Sequence, residues 1–228
     1  RLQFITEAVV ICLVGGALGI LVGFGLGSLG ASLIGAPARA DLGTVLVAVG
    51  FTLWCYFHPM IGSKIWVPFA NVEWDLGVWY IPLMSVVIIF MVNSANLQDG
   101  LDGLLSSVAS IGSAAWGIMA LFFLTAVSAL NNAEMNNNYY AVAIFALAVA
   151  GSCMGFLRFN HYPAKIFMGD TGSMFIGGTT VGMAMVLRQP LMLILIAFTM
   201  ICSSLSVMIQ VTYFKATHGK RIFKMSPI

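Results

Sequence analysis

A polytopic bundle of α-helices, an all-α integral membrane protein, is what this 228-residue sequence predicts, and three observations carry the prediction. Apolar residues make up 60% of the chain and charged residues only 8%, against about 25% charged in a soluble domain. Charge-free windows recur at lengths near the roughly 20 residues that one helix needs to cross the hydrocarbon. The few charges gather in the short connections between those windows. Backbone groups facing lipid must be satisfied within their own segment, and windows this long fit helices rather than barrel strands. This composition excludes a soluble fold, a disulfide scaffold, a coiled coil and a disordered tail. The net charge of +2 sits in loops, which marks membrane topology rather than nucleic-acid binding.

Seven helices are expected in order, over 8–34, 42–57, 77–92, 104–127, 140–157, 173–187 and 191–214. In the first, Gly19, Gly23 and Gly27 recur every four residues, a close-packing face for a neighbouring helix. Between the second and third, residues 64–75 alternate around Pro68 and Asn71, as a short hairpin at the interface would, with its tryptophans at headgroup depth. The basic run Lys215, Lys220, Arg221 and Lys224 and the loop holding Arg158 and Lys165 belong on the cytoplasmic side. Parity then places the turn 96–103 on that side too, and 59–76 and 131–138 outside. Arg1, Lys64 and Arg188 oppose the rule, three cations against seven. Cys12, Cys55, Cys153 and Cys202 fall singly in apolar runs and read as small core hydrophobes. His58, His161 and His218 have no ligand-like spacing. Both ends look cut from something longer.

A charge at bilayer depth costs about 2.5 to 3.5 kcal/mol on insertion scales, so the polar residues are the informative ones. Two connections on the cytoplasmic side concentrate them. The first runs Asn93-Ser-Ala-Asn96-Leu97-Gln-Asp99-Gly100-Leu101-Asp102-Gly103. Asn93 and Asn96 share roughly one helix face, and Gly100 and Gly103 permit a tight turn bringing two carboxylates together. Asp102 is alternatively a helix cap. Two acids and two amides without a nearby cation need an external counter-charge or a retained proton, and Mg²⁺ is the economical one. The second connection runs Asn160-His-Tyr-Pro-Ala-Lys165-Ile-Phe167-Met-Gly169-Asp170-Thr-Gly-Ser173. Its last residues open a helix whose free N–H groups favour anions, with plain N-capping by Asp170, Thr171 or Ser173 as the alternative. Together the loops are expected to hold a metal-bound phosphate or diphosphate.

These two motifs, in this order, resemble the polyprenyl-phosphate N-acetylhexosamine-1-phosphate transferase family. The tail from Gln210 to Pro227, with Lys-Arg-Ile-Phe-Lys-Met-Ser-Pro, is similar to its phospho-N-acetylmuramoyl-pentapeptide branch. The likeness covers 42–228, read as the transferase membrane domain, truncated before the family's histidine motif. Residues 1–41 instead weakly resemble an ABC permease segment. The resemblance implies a Mg²⁺-dependent homodimer in the bilayer of the bacterial inner membrane, with its site on the cytoplasmic face. It implies transfer from UDP-MurNAc-pentapeptide to undecaprenyl phosphate, giving lipid I and UMP for peptidoglycan synthesis. By motif position Asp170 is the metal ligand, with Asp99 and Asn96 shaping the diphosphate site. Asn93, Asn160 and Gly169 support substrate, while Leu97, Gly100, Leu101, Asp102 and Phe167 surround the uracil. Where the family carries an adjacent Asp-Asp pair ahead of the 42–57 helix, this chain has Asp41 alone. The alternatives are a sister transferase moving N-acetylglucosamine 1-phosphate, an inactive membrane fragment, or a permease-like subunit.

Overall fold

The computed structural model describes residues 42–68, 70, 72–128, 133–217 and 219–226. The expected helix over 8–34, its glycine face, the whole 1–41 segment, Cys12 and His218 lie outside the described residues. Within them the order is α1 (Leu42–Phe57), β1 (Lys64–Val67), β2 (Val72–Asp75), a 3-10 turn (Gly77–Trp79), α2 (Tyr80–Gln98), α3 (Leu104–Ser128), α4 (Ala133–Asn160), α5 (Gly169–Val186), a second 3-10 turn (Pro190–Met192), α6 (Leu193–Ile196) and α7 (Phe198–Ala216). The bundle is mostly helical, as composition demands. Three stretches, Gly77–Gln98, Leu104–Ala126 and Met135–Asn160, are long and apolar enough to cross a membrane, or four if the bent pair Pro190–Ile196 and Phe198–Ala216 counts as one.

Several expected boundaries move: α2 runs on to Gln98 and α5 already begins at Gly169, and two further differences have physical reasons. The polar stretch 131–138, expected as a loop, is already helical from Ala133. Asparagines there mark contact with water, and a helix that begins before the hydrocarbon satisfies that equally well. The expected single helix over 191–214 is broken at Ala197, whose φ of −107° and ψ of 25° leave the helical region, and the axis turns by 84°. Ala197 is buried, and the break docks on α3 where Gly112 leaves room. A Cβ there would lie 3.4 Å from Ile196 Cγ2 and 3.5 Å from its carbonyl oxygen.

The hairpin forms as the alternation predicts, antiparallel, with Lys64 opposite Asp75 and Val67 opposite Val72. It is pinned to the end of α5. Trp66 N–H donates to the Arg188 carbonyl at 2.9 Å, and the Arg188 guanidinium meets Glu73 at 2.9 Å. Lys64 also faces Glu73, at 3.9 Å. The two described cations that break the charge rule are thus both paired with one carboxylate on their own side.

Helix α2 is the hub and packs on α1, α5 and α7, while α3 packs on α4. Buried hydroxyls meet between the helices: Ser204 donates to Ser94 at 2.7 Å, and the Ser85 and Thr52 hydroxyls stand 3.3 Å apart, while Ser94, Ser85 and Thr52 each also bond a carbonyl of their own helix. Cys55 and Cys153 are buried free thiols, in keeping with a packing role. The contact that positions the site is α2 on α5. At Gly177 an added Cβ would stand 2.7 Å from Val92 Cα and 2.8 Å from the Met91 carbonyl oxygen. Both obstacles are backbone, so neither yields cheaply. Gly177→Ala is therefore expected to push α5 off α2 and destabilise the protein by about 1–3 kcal/mol, seen as a lowered melting temperature in detergent. An unchanged melt would show that the two helices need no such proximity.

Candidate functional site

The C-terminal turns of α2 carry Asn93 and Asn96, and Asp99 follows at the same three-residue interval as the residue that ends the helix. The first turn of α5 carries Asp170 and Ser173. Because the glycine contact draws these helices together, the two motifs meet. Asn96 Nδ2 donates to Asp170 Oδ1 at 3.0 Å and lies 3.0 Å from Ser173 Oγ, while the Ser173 hydroxyl approaches the Asp170 carbonyl at 3.1 Å. An amide from one loop thus orients a carboxylate from the other, 74 residues away. Asn93 spends its Nδ2 on the Ile89 carbonyl of its own helix at 2.9 Å, and its Oδ1 is buried without a partner among the described residues. The same holds for both amide atoms of Gln98.

Asp99 follows α2 directly and is half-buried. Its carboxyl is pushed up to about 6, first by burial and then by the negative charge of Asp170. Desolvation and like charge both disfavour its ionised form. The charge acting on Asp99 is therefore that of Asp170. Asp102, expected to approach Asp99 through the turn or to cap α3, is engaged elsewhere, accepting the Ala164 N–H at 2.9 Å through Oδ2. That bond stitches the first loop to the second. Asp170 does not act as an N-cap either; the residue before α5 is Met168, with no side-chain capping bond.

Asn160 forms the other stitch. It is buried, and its Oδ1 accepts the Gly103 N–H at 3.1 Å and the Ser106 hydroxyl at 2.7 Å. Its Nδ2 donates to the Ile166 carbonyl at 3.0 Å. Gly103 has φ of +74°, and a Cβ there would meet His161 Cα at 3.3 Å. The loops are thus held at a fixed distance by one amide and one glycine. Sequence reasoning did not single out Ser106 as a partner of Asn160, and took Ser173 only as a possible cap. Both are hydroxyls in a first helical turn, a pattern too common to stand out without the fold.

Around this corner the remaining expected residues are open to solvent in varying degree. Gly100, Leu101, Phe167 and Gly169 are exposed, and Leu97 is half-buried. Phe167, 73% exposed, presents a ring that no other side chain covers to any large extent. Gly169, with φ of +70° and open space where a Cβ would stand, starts α5 with free backbone donors.

The donor set suits a hard divalent cation. Mg²⁺ takes oxygen ligands, keeps several waters and needs only one or two protein carboxylates beside substrate phosphates. Asp99 and Asp170 form such a pair, and the ion pairs among the described residues all lie at the hairpin. No group of three or more His, Cys, Asp or Glu gathers among the described residues. The fit is therefore to a cation completed by water and phosphate oxygens, and not to an all-protein cage.

Residues 34–188 match the family described as Glycosyl transferase family 4. The phospho-N-acetylmuramoyl-pentapeptide-transferase of Clostridium botulinum (strain Eklund 17B / Type B) is 42% identical over 184 residues, 81% of this chain and 52% of that protein. The protein of the same name from Caldicellulosiruptor bescii is 40% identical over 195 residues, covering 86% and 56%. That of Clostridium kluyveri is 38% identical over 221 residues, covering 93% and 65%. The chain spans about half the length of the curated relatives it matches.

Two pH dependences of opposite sign follow from Asp99. Ionising a carboxyl held above its ordinary value costs the folded state, so its contribution to stability is most favourable below 3.8 and is lost as pH rises towards about 6. Cation binding runs the other way, because the proton that Asp99 takes up as pH falls through about 6 removes a negative charge. Calorimetric titration of Mg²⁺ should show affinity dropping from about pH 7 to about pH 5, and Asp99→Asn should flatten that profile. A wild-type affinity independent of pH over that range would remove Asp99 from the cation site.

Proposed function

The chain belongs to glycosyl transferase family 4, and from that premise we propose that it transfers phospho-N-acetylmuramoyl-pentapeptide from UDP-MurNAc-pentapeptide to undecaprenyl phosphate, forming lipid I and releasing UMP. The observation that carries this reading is the 3.0 Å hydrogen bond from Asn96 to Asp170, with Asp99 beside it. It joins the two polar motifs of an otherwise apolar chain into one acidic corner without a protein counter-cation among the described residues. Relatives whose printed name is this transferase support the choice of substrate class.

In the reaction, a phosphate oxygen of the acceptor lipid forms a bond to the sugar-proximal phosphorus, and the bond from that phosphorus to the bridging oxygen of UMP breaks. Both reactants are anions, so positioning and charge neutralisation are the main demands on the protein. Mg²⁺, when bound by Asp170 and Asp99, supplies the positive charge that lets a diphosphate approach these carboxylates. Asn96 keeps Asp170 in one orientation by donating to Oδ1. Asn160 and Asp102 hold the loops so that the α5 N-terminus, starting at Gly169, offers backbone donors to phosphate oxygens. Asn93 lies one turn below Asn96 and supports that face. The exposed ring of Phe167 offers a stacking surface to the uracil, with Leu97, Gly100 and Leu101 around it.

The proposal includes a seven-span organisation for 1–228 in which α1 and α5 also cross the bilayer. It places the acidic corner on the cytoplasmic face of the bacterial inner membrane and the hairpin outside. A homodimer is part of the same reading, as is a division into an N-terminal membrane segment, 1–41, and a transferase domain, 42–228.

UMP release that needs Mg²⁺ and polyprenyl phosphate tests it. In the full-length protein, Asp170→Asn is expected to abolish that release, and Asn96→Ala to raise the Mg²⁺ requirement about 10- to 100-fold, as loss of a ligand-orienting partner does. Normal turnover by Asp170→Asn would overturn the assignment of this corner. Turnover with UDP-N-acetylglucosamine in place of the muramoyl substrate would point to the sister reaction.

A further inference from the structure

Well along the chain from the acidic corner, α7 ends at Ala216 and the polypeptide reverses on Gly219, whose φ of +115° favours glycine. Gly219 N–H donates to the Phe214 carbonyl at 3.0 Å. The returning segment then lies back along α7. Gln210 Oε1 accepts two of its backbone donors, Ile222 N–H at 3.1 Å and Phe223 N–H at 2.9 Å, and the Ser226 and Ser206 hydroxyls stand 3.3 Å apart. The Gln210 amide, with the Ser206–Ser226 contact, therefore shapes the strap.

Between helix and strap is a cavity of about 540 Å³. Lys215, Arg221 and Lys224 line it together with Phe214, Phe223 and Ser226, and its lining contains no carboxylate. Cations thus share one concavity with aromatic rings and a hydroxyl, at the end of an apolar helix whose outward residues Met208, Ile209 and Tyr213 remain exposed. A soluble anion would leave the rings unused, and an uncharged lipid would leave Arg221 and Lys224 unmatched. A phosphodiester headgroup with its acyl chains running down α7 engages both. Basic clusters next to a membrane helix are drawn to anionic lipid in this way, and arginine adds planar, forked recognition of phosphate oxygens.

We infer that this cavity is a binding site for an anionic phospholipid of the surrounding bilayer, with Arg221 and Lys224 holding the phosphodiester and Phe214 and Phe223 flanking the glycerol and upper acyl chain. Its lining shares no residue with the Asp99–Asp170 corner, and its occupancy is read without turnover, so it does not rest on the transferase reading.

The full-length protein in nanodiscs, with phosphatidylglycerol in a phosphatidylcholine background, tests the site by native mass spectrometry of retained lipid and by fluorescence quenching with brominated phosphatidylglycerol. Arg221→Gln/Lys224→Gln is expected to weaken phosphatidylglycerol retention about 25-fold, roughly fivefold per cation near an anionic surface. Lys220→Gln removes a neighbouring exposed cation that does not line the cavity, and is expected to change retention less than about twofold, well below the fivefold of a surface cation in contact. Phosphatidylglycerol that resists millimolar inorganic phosphate supports a lipid site, whereas displacement by phosphate alone overturns it. Equal loss in Lys220→Gln would reduce the effect to general surface charge and overturn it as well. Stoichiometric displacement by polyprenyl phosphate would assign the cavity to that lipid instead and likewise overturn the inference. Circular dichroism of the double variant, expected to match wild type because both side chains are exposed, separates lost lipid from lost fold.

Discussion

Asp99 and Asp170, from two distant motifs, come to one corner at the edge of an apolar bundle, where the charge of Asp170 acts on Asp99, and much of the surrounding architecture exists to keep them there. Burial first, and the negative charge of Asp170 after it, raises the proton affinity of Asp99. The two helices lie close because Gly177 admits the backbone of α2 to within a distance that any side chain would forbid. Asn96 then converts proximity into orientation, its amide donating across the helix pair to Asp170.

The loops that frame the corner obey the same economy. With few charged groups in the chain, its polar side chains do several tasks each. Asn160 satisfies a glycine N–H, a serine hydroxyl and a backbone carbonyl at once. Asp102, a carboxylate that composition alone would count towards the charge of the site, accepts a backbone N–H and ties the loops together. The acidic corner is thus left to Asp99 and Asp170, and the third acid serves geometry. At the other end of the molecule, Glu73 performs the corresponding service for Lys64 and Arg188, fastening the hairpin to α5. The two described exceptions to the charge rule, Lys64 and Arg188, thus share a local partner.

Much of this was legible in the amino-acid sequence, and the reasons differ by element. The hairpin was legible because period-two alternation around Pro68 and Asn71 has few other solutions. The helices were legible because lipid leaves the backbone no other way to satisfy itself. Asn96, Asp99 and Asp170 stood out because polar residues near a bilayer are expensive. The break at Ala197 was not legible, since alanine is a good helix former and only the docking of Ile196 against Gly112 accounts for it. The extension of α4 back to Ala133 was hidden by asparagines, whose polarity reports water and not backbone conformation.

Composition and pattern by themselves therefore determined the solvent of this protein, the helical class of its fold and the short list of residues able to carry charge chemistry, because each is a local cost that a residue incurs whatever its neighbours are. Tertiary structure alone decided which of those acids act on each other, that Asp99 faces Asp170 while Asp102 is spent on Ala164. Which carboxylates meet depends on how closely two helices approach, and that distance is set at Gly177, 74 or more residues from the first motif and without any charge of its own to reveal it.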